Sequence, residues 1–221
     1  MSTILISGAG RGLGQELARQ YAAEGWRVFG TVRSTSVTVP AGVERLIADV
    51  TEPGQIAALA KALRGEPLDV LFCNAGIIGK RGMALGSFDY ESWQEVFRVN
   101  VLGAAALAEA LLENVATGSR KVIAMMSSRL GSIAESSGMT LPYATSKAAL
   151  NMLVKGLAAT LQPRGIIVVA LSPGWVRTDM GGAGAPLAPE TSVAGLRNVI
   201  AKLKPADSGR FFSHDGSPIP W

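Results

Sequence analysis

The chain has little of the two residue types on which many metal and nucleophilic sites are built. Its 221 residues include one cysteine, Cys73, and one histidine, His214. A lone cysteine excludes an intrachain disulfide. A single histidine leaves little support for a histidine-based metal site or a Ser-His-Asp triad, and no metal is expected. No cationic segment followed by an apolar run opens the sequence, and no apolar stretch is long enough to span a bilayer. These absences fit a reducing cytoplasmic setting with no membrane partner. The sequence also lacks an internal repeat, a low-complexity tail, a charge block and a composition break, so one domain over 1–221 is expected. The net charge of +4 is modest, and the basic residues are not interleaved with aromatics in the manner of a nucleic-acid surface. His214 lies in the polar turn Ser213-His-Asp-Gly216 and reads as a surface residue, and Cys73 at a strand end reads as a small buried apolar group.

What is present is alternation. At 48% apolar, the chain can bury a full core. Strand-like runs occur at Thr3–Ile6, from Trp26, and at Glu44–Ile47, Leu68–Phe72, Lys121–Met126, Ile166–Leu171 and Gly209–Ser213, with helix-like runs between them. That order predicts a single-domain, doubly wound α/β Rossmann fold with a mostly parallel seven-stranded sheet and helices on both faces.

The first strand runs into Ser7-Gly8-Ala9-Gly10-Arg11-Gly12-Leu13-Gly14 and then into a helix with Leu17 and Tyr21 on one stripe, ended by Gly25. Glycines allow a tight turn and a close backbone approach to a pyrophosphate, whose charge the amides of the following helix receive. The spacing is Gly8-x-x-x-Gly12-x-Gly14, which differs from G-x-G-x-x-G because Leu13 fills its sixth position. A tight turn without ligand is the plain alternative, but four glycines in seven residues carry more conformational entropy than a turn requires. The second strand ends at Thr31-Val32-Arg33-Ser34. A site for NAD places a carboxylate there for the ribose hydroxyls. Arg33 instead suits a 2'-phosphate, and Arg11 lies where it can reach the same group. The missing acid favours NADP(H) and leaves NAD(H) open.

Tyr143 and Lys147 stand four residues apart in a helix-like segment, so both project from one face. A nearby ammonium favours phenolate and lowers a tyrosine pKa from its reference of about 10, toward proton exchange near neutrality. Read alone, the pair is equally a half-buried tyrosine beside a solvated lysine. Pro142 suits a first helical turn and places Tyr143 near the carboxyl edge of the sheet, where open α/β sheets bind ligands.

Taken in order, these residues resemble the short-chain dehydrogenase/reductase family over the whole chain. The glycine loop is followed by Asp49-Val50, Cys73-Asn74-Ala75-Gly76, Asn100 within Val99–Gly103, Ser128 at the end of the fifth strand, Tyr143 and Lys147, and Pro173-Gly174 with Val176 and Thr178. Pro173–Gly182 and the tail from Ser208 to Trp221 are similar to the C-factor and Sniffer-like carbonyl reductase branch. The resemblance implies hydride transfer between a nicotinamide and a carbonyl or alcohol of a small substrate. It implies Tyr143 as general acid and base, Ser128 as hydrogen-bond partner of the carbonyl oxygen, Lys147 as tuner of Tyr143 and ribose ligand, and Asn100 as holder of a relay water. Gly8, Arg11, Gly12, Leu13 and Gly14 would cradle the pyrophosphate. Asp49 and Val50 would meet the adenine, and Asn74, Ala75 and Gly76 the ribose side. Pro173, Gly174, Val176 and Thr178 would hold the nicotinamide end. The Gly- and Ala-rich segment 181–189 would be a mobile lid, short enough to imply broad specificity. A homodimer or homotetramer is implied as well.

Each residue has a plainer reading. Ser127 and Ser132 compete with Ser128, although strand alternation allows only one of Ser127 and Ser128 to face the site. The 15 residues from Ser128 to Tyr143 are longer than the family spacing. Asn100 can simply stabilise a helix bend, Asp49 can be a turn residue, and Arg129 either attracts an anionic substrate or points to solvent. A catalytically idle dinucleotide-binding signalling or sensor protein is the alternative from another class.

Overall fold

The computed structural model describes residues 1–221. Seven strands are present: β1 (Thr3–Ile6), β2 (Arg27–Val32), β3 (Val43–Ile47), β4 (Val70–Cys73), β5 (Val122–Met126), β6 (Ile167–Ser172) and β7 (Phe211–Ser213). They form one sheet in the order β3-β2-β1-β4-β5-β6-β7, and every pairing is parallel. The order reverses between β1 and β4, which opens a crevice at the carboxyl ends of those two strands.

The helices are α1 (Gly12–Ala23), α2 (Pro53–Ala62), α3 (Tyr90–Phe97), α4 (Gly103–Ala110), α5 (Leu112–Thr117), α6 (Leu141–Leu161) and α7 (Pro189–Lys202). Strand alternation sorts the core into two layers. Ile4, Ile6, Val70, Phe72, Val122, Ala124, Val169 and Leu171 point to one face, where Leu17 and Tyr21 of α1 and Val193, Leu196 and Ile200 of α7 cover them. Leu5, Leu71, Cys73, Ile123, Met125, Val168 and Ala170 point to the other, beneath Ile56 and Leu59 of α2, Leu107 of α4 and Leu150 and Val154 of α6. Because both faces are covered, the central strands read as continuous apolar runs, which is why they stand out in the sequence.

Two local departures position the site. The helical segment between α3 and α4 relaxes into a π-helical turn at Arg98–Leu102, which turns Asn100 inward. And β5 stops at Met126, so Ser128 lies beyond the sheet and caps a short 3-10 turn, Arg129–Gly131. No helix is long and apolar enough to cross a membrane.

Candidate active site

The glycine loop closes over the carboxyl end of β1. Gly8 (φ 72°) and Gly12 (φ 55°) occupy left-handed backbone that side chains disfavour. At Gly14 the constraint is close approach: a Cβ there would overlap the Gly8 carbonyl oxygen and lie 2.5 Å from Asn74 Nδ2. The loop therefore leaves the α1 N-terminus open to an anion, with Leu13 partly packed against the core behind it. Across from it, a Cβ on Gly12 would lie 3.8 Å from Thr178 Cγ2, so the predicted pyrophosphate and nicotinamide ends face each other. A dinucleotide fits this cradle of missing side chains.

The remaining residues predicted to hold cofactor divide by what their side chains touch. Arg33, at the end of β2, is exposed and forms no hydrogen bond or ion pair within the chain, and its charge helps hold the Asp49 carboxyl below its ordinary range. Asp49 is also a turn residue: burial opposes its ionisation, while Thr51 N and Thr51 Oγ1 donate to its Oδ1 at 2.9 and 2.7 Å. Val50 is buried against Gly103. Arg11 is exposed and pairs at 3.5 Å with Asp179, so it spans the mouth of the cleft to the segment after Thr178. The Asn74 side chain turns to the glycine loop and donates to Ser7 O at 2.9 Å. Ala75 is fixed through its N–H, which donates to Ser7 Oγ at 3.0 Å. Gly174 has φ 78°, next to Pro173, whose carbonyl accepts from Ser192 Oγ at 2.7 Å.

Segment 181–189 is tied at several points. Trp175 Nε1 donates to Gly181 O at 2.8 Å, and Thr178 Oγ1 accepts from Gly181 N at 3.1 Å. Arg177 Nη1 donates to Ala185 O and Pro186 O, Val176 bridges Leu187, and Pro189 already belongs to α7. Arg81 Nη2 donates to Met180 O from the opposite loop. The segment expected as a mobile lid thus carries a set of anchors that glycine and alanine content does not reveal.

The four predicted catalytic residues converge. Lys147 is buried, its Nζ donates to Met126 O at 2.7 Å, and it lies 5.5 Å from the centroid of the Tyr143 ring. Ser128, the N-cap of its 3-10 turn, accepts from Leu130 N at 3.2 Å and stands close enough to the Tyr143 phenol to favour its ionised form. Ser127 is buried, and its Oγ donates to Asn151 Oδ1 at 2.6 Å within the protein. Asn100 Oδ1 accepts from Ile77 N at 2.8 Å, and its Nδ2 donates to Ile77 O at 2.9 Å and to Ser146 Oγ at 3.0 Å. Ser146 Oγ in turn donates to Tyr143 O at 2.7 Å. Gly76 fills the space between them: a Cβ there would lie 3.2 Å from Asn100 Oδ1 and 3.5 Å from Lys147 Nζ. A side chain at Gly76 would therefore crowd both the Asn100 carbonyl oxygen and the Lys147 amine.

The electrostatics correct one expectation. Tyr143 was expected to be lowered by Lys147. Instead burial of the phenol pushes its pKa up to about 12, with Ser128 pulling it partly back. Burial also pushes Lys147 down to about 7, so near neutrality much of the charge that would stabilise a phenolate is absent. The Arg129 guanidinium is half exposed and pairs with Glu135 at 2.7 Å. His214 is half-buried, with its ring against the backbone at Gly174 and its carbonyl against Gly195, and so is a packing residue behind the predicted nicotinamide loop. Cys73 is buried as expected, and burial pushes its thiol up to about 12.

The supporting roles of Ser7, Ser146, Asn151 and Ser192 are not legible from sequence. All are buried and satisfied by partners distant in the chain, and isolated serines and asparagines carry no spacing signal that would expose such roles.

Residues 2–185 match the family model described as short chain dehydrogenase. Among curated proteins, C-signal of Myxococcus xanthus is 43% identical over 156 residues, 70% of this chain and 93% of that protein. Among solved structures, the carbonyl reductase Sniffer of D. melanogaster superposes with a TM-score of 0.91 at 32% identity, covering 100% of both chains. The NADPH-bound carbonyl reductase from chicken fatty liver also gives a TM-score of 0.91, at 29% identity over 100% of this chain and 99% of that one.

Proposed function

The chain belongs to the short-chain dehydrogenase/reductase family of oxidoreductases, on its C-signal and Sniffer-like branch, and from that premise we propose that it reduces the carbonyl group of a small substrate with NADPH. The observation that carries this reading is the meeting of Ser128, Tyr143 and Lys147 at the mouth of the crevice. NADPH, when bound, supplies the hydride.

This chain's residues supply position and protons. The Tyr143 phenol, fully protonated near neutrality, donates its proton to the carbonyl oxygen as negative charge develops there. Ser128 Oγ donates a hydrogen bond to that oxygen and fixes its distance from the phenol. The resulting phenolate draws a proton from Lys147, which at a pKa of about 7 exchanges protons readily in the working range. A water held by Asn100 beside Gly76, where no side chain intervenes, reloads Lys147. The glycine loop cradles the pyrophosphate, and the unpaired Arg33 selects the 2'-phosphate. Segment 181–189 covers the substrate as a tethered lid. Exposed Leu102 and Met152 suit the homodimer or homotetramer that the resemblance implies.

The idle-binder alternative is disfavoured by Lys147. A lysine buried this deeply destabilises the fold, and a protein without proton chemistry gains nothing from keeping it. The test is NADPH consumption with a reactive diketone. Tyr143→Phe should be slower by about 10²–10⁴-fold. Equal rates for Tyr143→Phe and wild type would overturn the reading.

A further inference from the structure

Ser128 acts from a segment that leaves the sheet at Met126 and turns away within a few residues, so something must hold its hydroxyl in register with Tyr143. Three ties do so. Arg129 N donates to Ser172 Oγ at 3.1 Å at the end of β6. Gly131 packs so closely on α6 that a Cβ there would lie 2.7 Å from the carbonyl carbon and Cβ of Lys147. The third tie is Asn151, buried on α6 one turn beyond Lys147. Its Oδ1 accepts from Ser127 Oγ at 2.6 Å, and its Nδ2 donates to Gly131 O at 3.0 Å. One carboxamide thus holds the residue before Ser128 and the residue three after it.

We propose that Asn151 is a positioning residue that sets where the Ser128 hydroxyl stands relative to the Tyr143 phenol; the proposal rests on the reading of Ser128 and Tyr143 given above. The chemistry of the site asks for this side chain. It must accept from a hydroxyl and donate to a carbonyl from one rigid planar group, which asparagine does and leucine or ionised aspartate cannot. Its place on α6 adds a geometric reason. Tyr143, Lys147 and Asn151 follow one another at intervals of four on one helix face. The element that fixes the proton donor therefore also fixes the hydrogen-bond donor that works beside it, and the two move as one body. Both bonds are buried, which makes them geometrically strict and costly to leave unmade.

The test is a double-mutant cycle read by steady-state kinetics, with amide hydrogen exchange alongside. Asn151→Ala should lower kcat about tenfold or more, since a displacement near 1 Å at a reacting group costs up to about 100-fold. The KM for NADPH should not change. In combination with Ser128→Ala it should cause no further loss, because the two substitutions remove one function. Amides of residues 127–132 should exchange faster in Asn151→Ala. Additive losses in the double variant, or unchanged exchange over 127–132, would overturn the proposal. A slow Ser128→Ala beside an unaffected Asn151→Ala overturns it alone, whereas full activity in Ser128→Ala overturns the reading of the site and the proposal with it. If Asn151→Ala does not fold, Ser127→Ala removes only the 2.6 Å bond and is read in the same way, with a smaller effect.

Discussion

Gly14 and Lys147 stand on opposite sides of one crevice and show two ways of making a site. Around Gly14, on the β1–β3 side, the chain leaves atoms out. Backbone lines the cleft, the glycines prevent overlap, and the arginines nearby, Arg11 and Arg33, are exposed. Around Lys147, on the β4–β6 side, the chain buries polar atoms and satisfies them: Lys147 on Met126 O, Asn100 on Ile77, Ser146 on Tyr143 O, Asn151 on Ser127 and Gly131. The first arrangement tolerates no added volume, and the second tolerates no removed partner. A cofactor is mostly held by shape and charge, so an open cradle suffices; a proton must be placed within a fraction of an ångström, which takes a rigid network.

Three substitutions sharpen this contrast. The largest effect on cofactor binding is expected at Gly14→Ala, where the new methyl group overlaps Gly8 O. Overpacking of that kind costs about 1–3 kcal/mol or more, and dinucleotide affinity, followed by fluorescence titration, should fall by about 100-fold. The next tests the buried side. Lys147 has a folded pKa of about 7, below its ordinary 10.5, so the unfolded chain binds the extra proton between those values. Stability must then rise with pH across that range. Above pH 9 the buried Cys73 thiol, and further up Tyr143 and Tyr21, act in the opposite direction, because their folded pKa values are raised to about 12. The clean window is therefore pH 7 to 9. Wild-type unfolding free energy should climb by up to about 1.4 kcal/mol per pH unit there, and Lys147→Met should remove the slope while abolishing activity. Denaturant melts at several pH values decide it; the same slope in the variant would show that Lys147 is not the group responsible. The smallest effect is expected at Arg33→Ala. Loss of one charge-assisted contact of about 1.5–3 kcal/mol should weaken NADPH binding by about tenfold or more and leave NADH binding unchanged. Equal weakening of both would remove the phosphate assignment.

The same contrast explains what was legible in the sequence. Strands buried on both faces are continuous apolar runs, so β1, β4, β5 and β6 could be located from Ile4, Leu71, Ile123 and Val169 and their neighbours. The glycine loop is legible because omission leaves a mark: four glycines in seven residues need a reason. Tyr143 and Lys147 are legible because a helix converts spacing into proximity. The supporting polar groups are not. Ser7 and Asn74 are 67 residues apart, and Asn100 and Ser146 are 46 apart, so nothing local marks them as partners. The direction of the Tyr143 shift was missed for a similar reason. Proximity to an ammonium can be read from spacing, whereas how much water each group loses is set by the whole fold.

The strand order carries a consequence for how the crevice comes into being. The strand made first, β1, lies inside the sheet rather than at an edge, flanked by β2 at once but by β4 only after residue 70 has been added. Until then one wall of the crevice does not exist, and Ser7 has no Asn74 or Ala75 to receive. Pairing across such distances is entropically slow. Competence to grip a dinucleotide is thus a late event in the life of the chain, acquired when its two halves dock rather than when its glycine loop is formed.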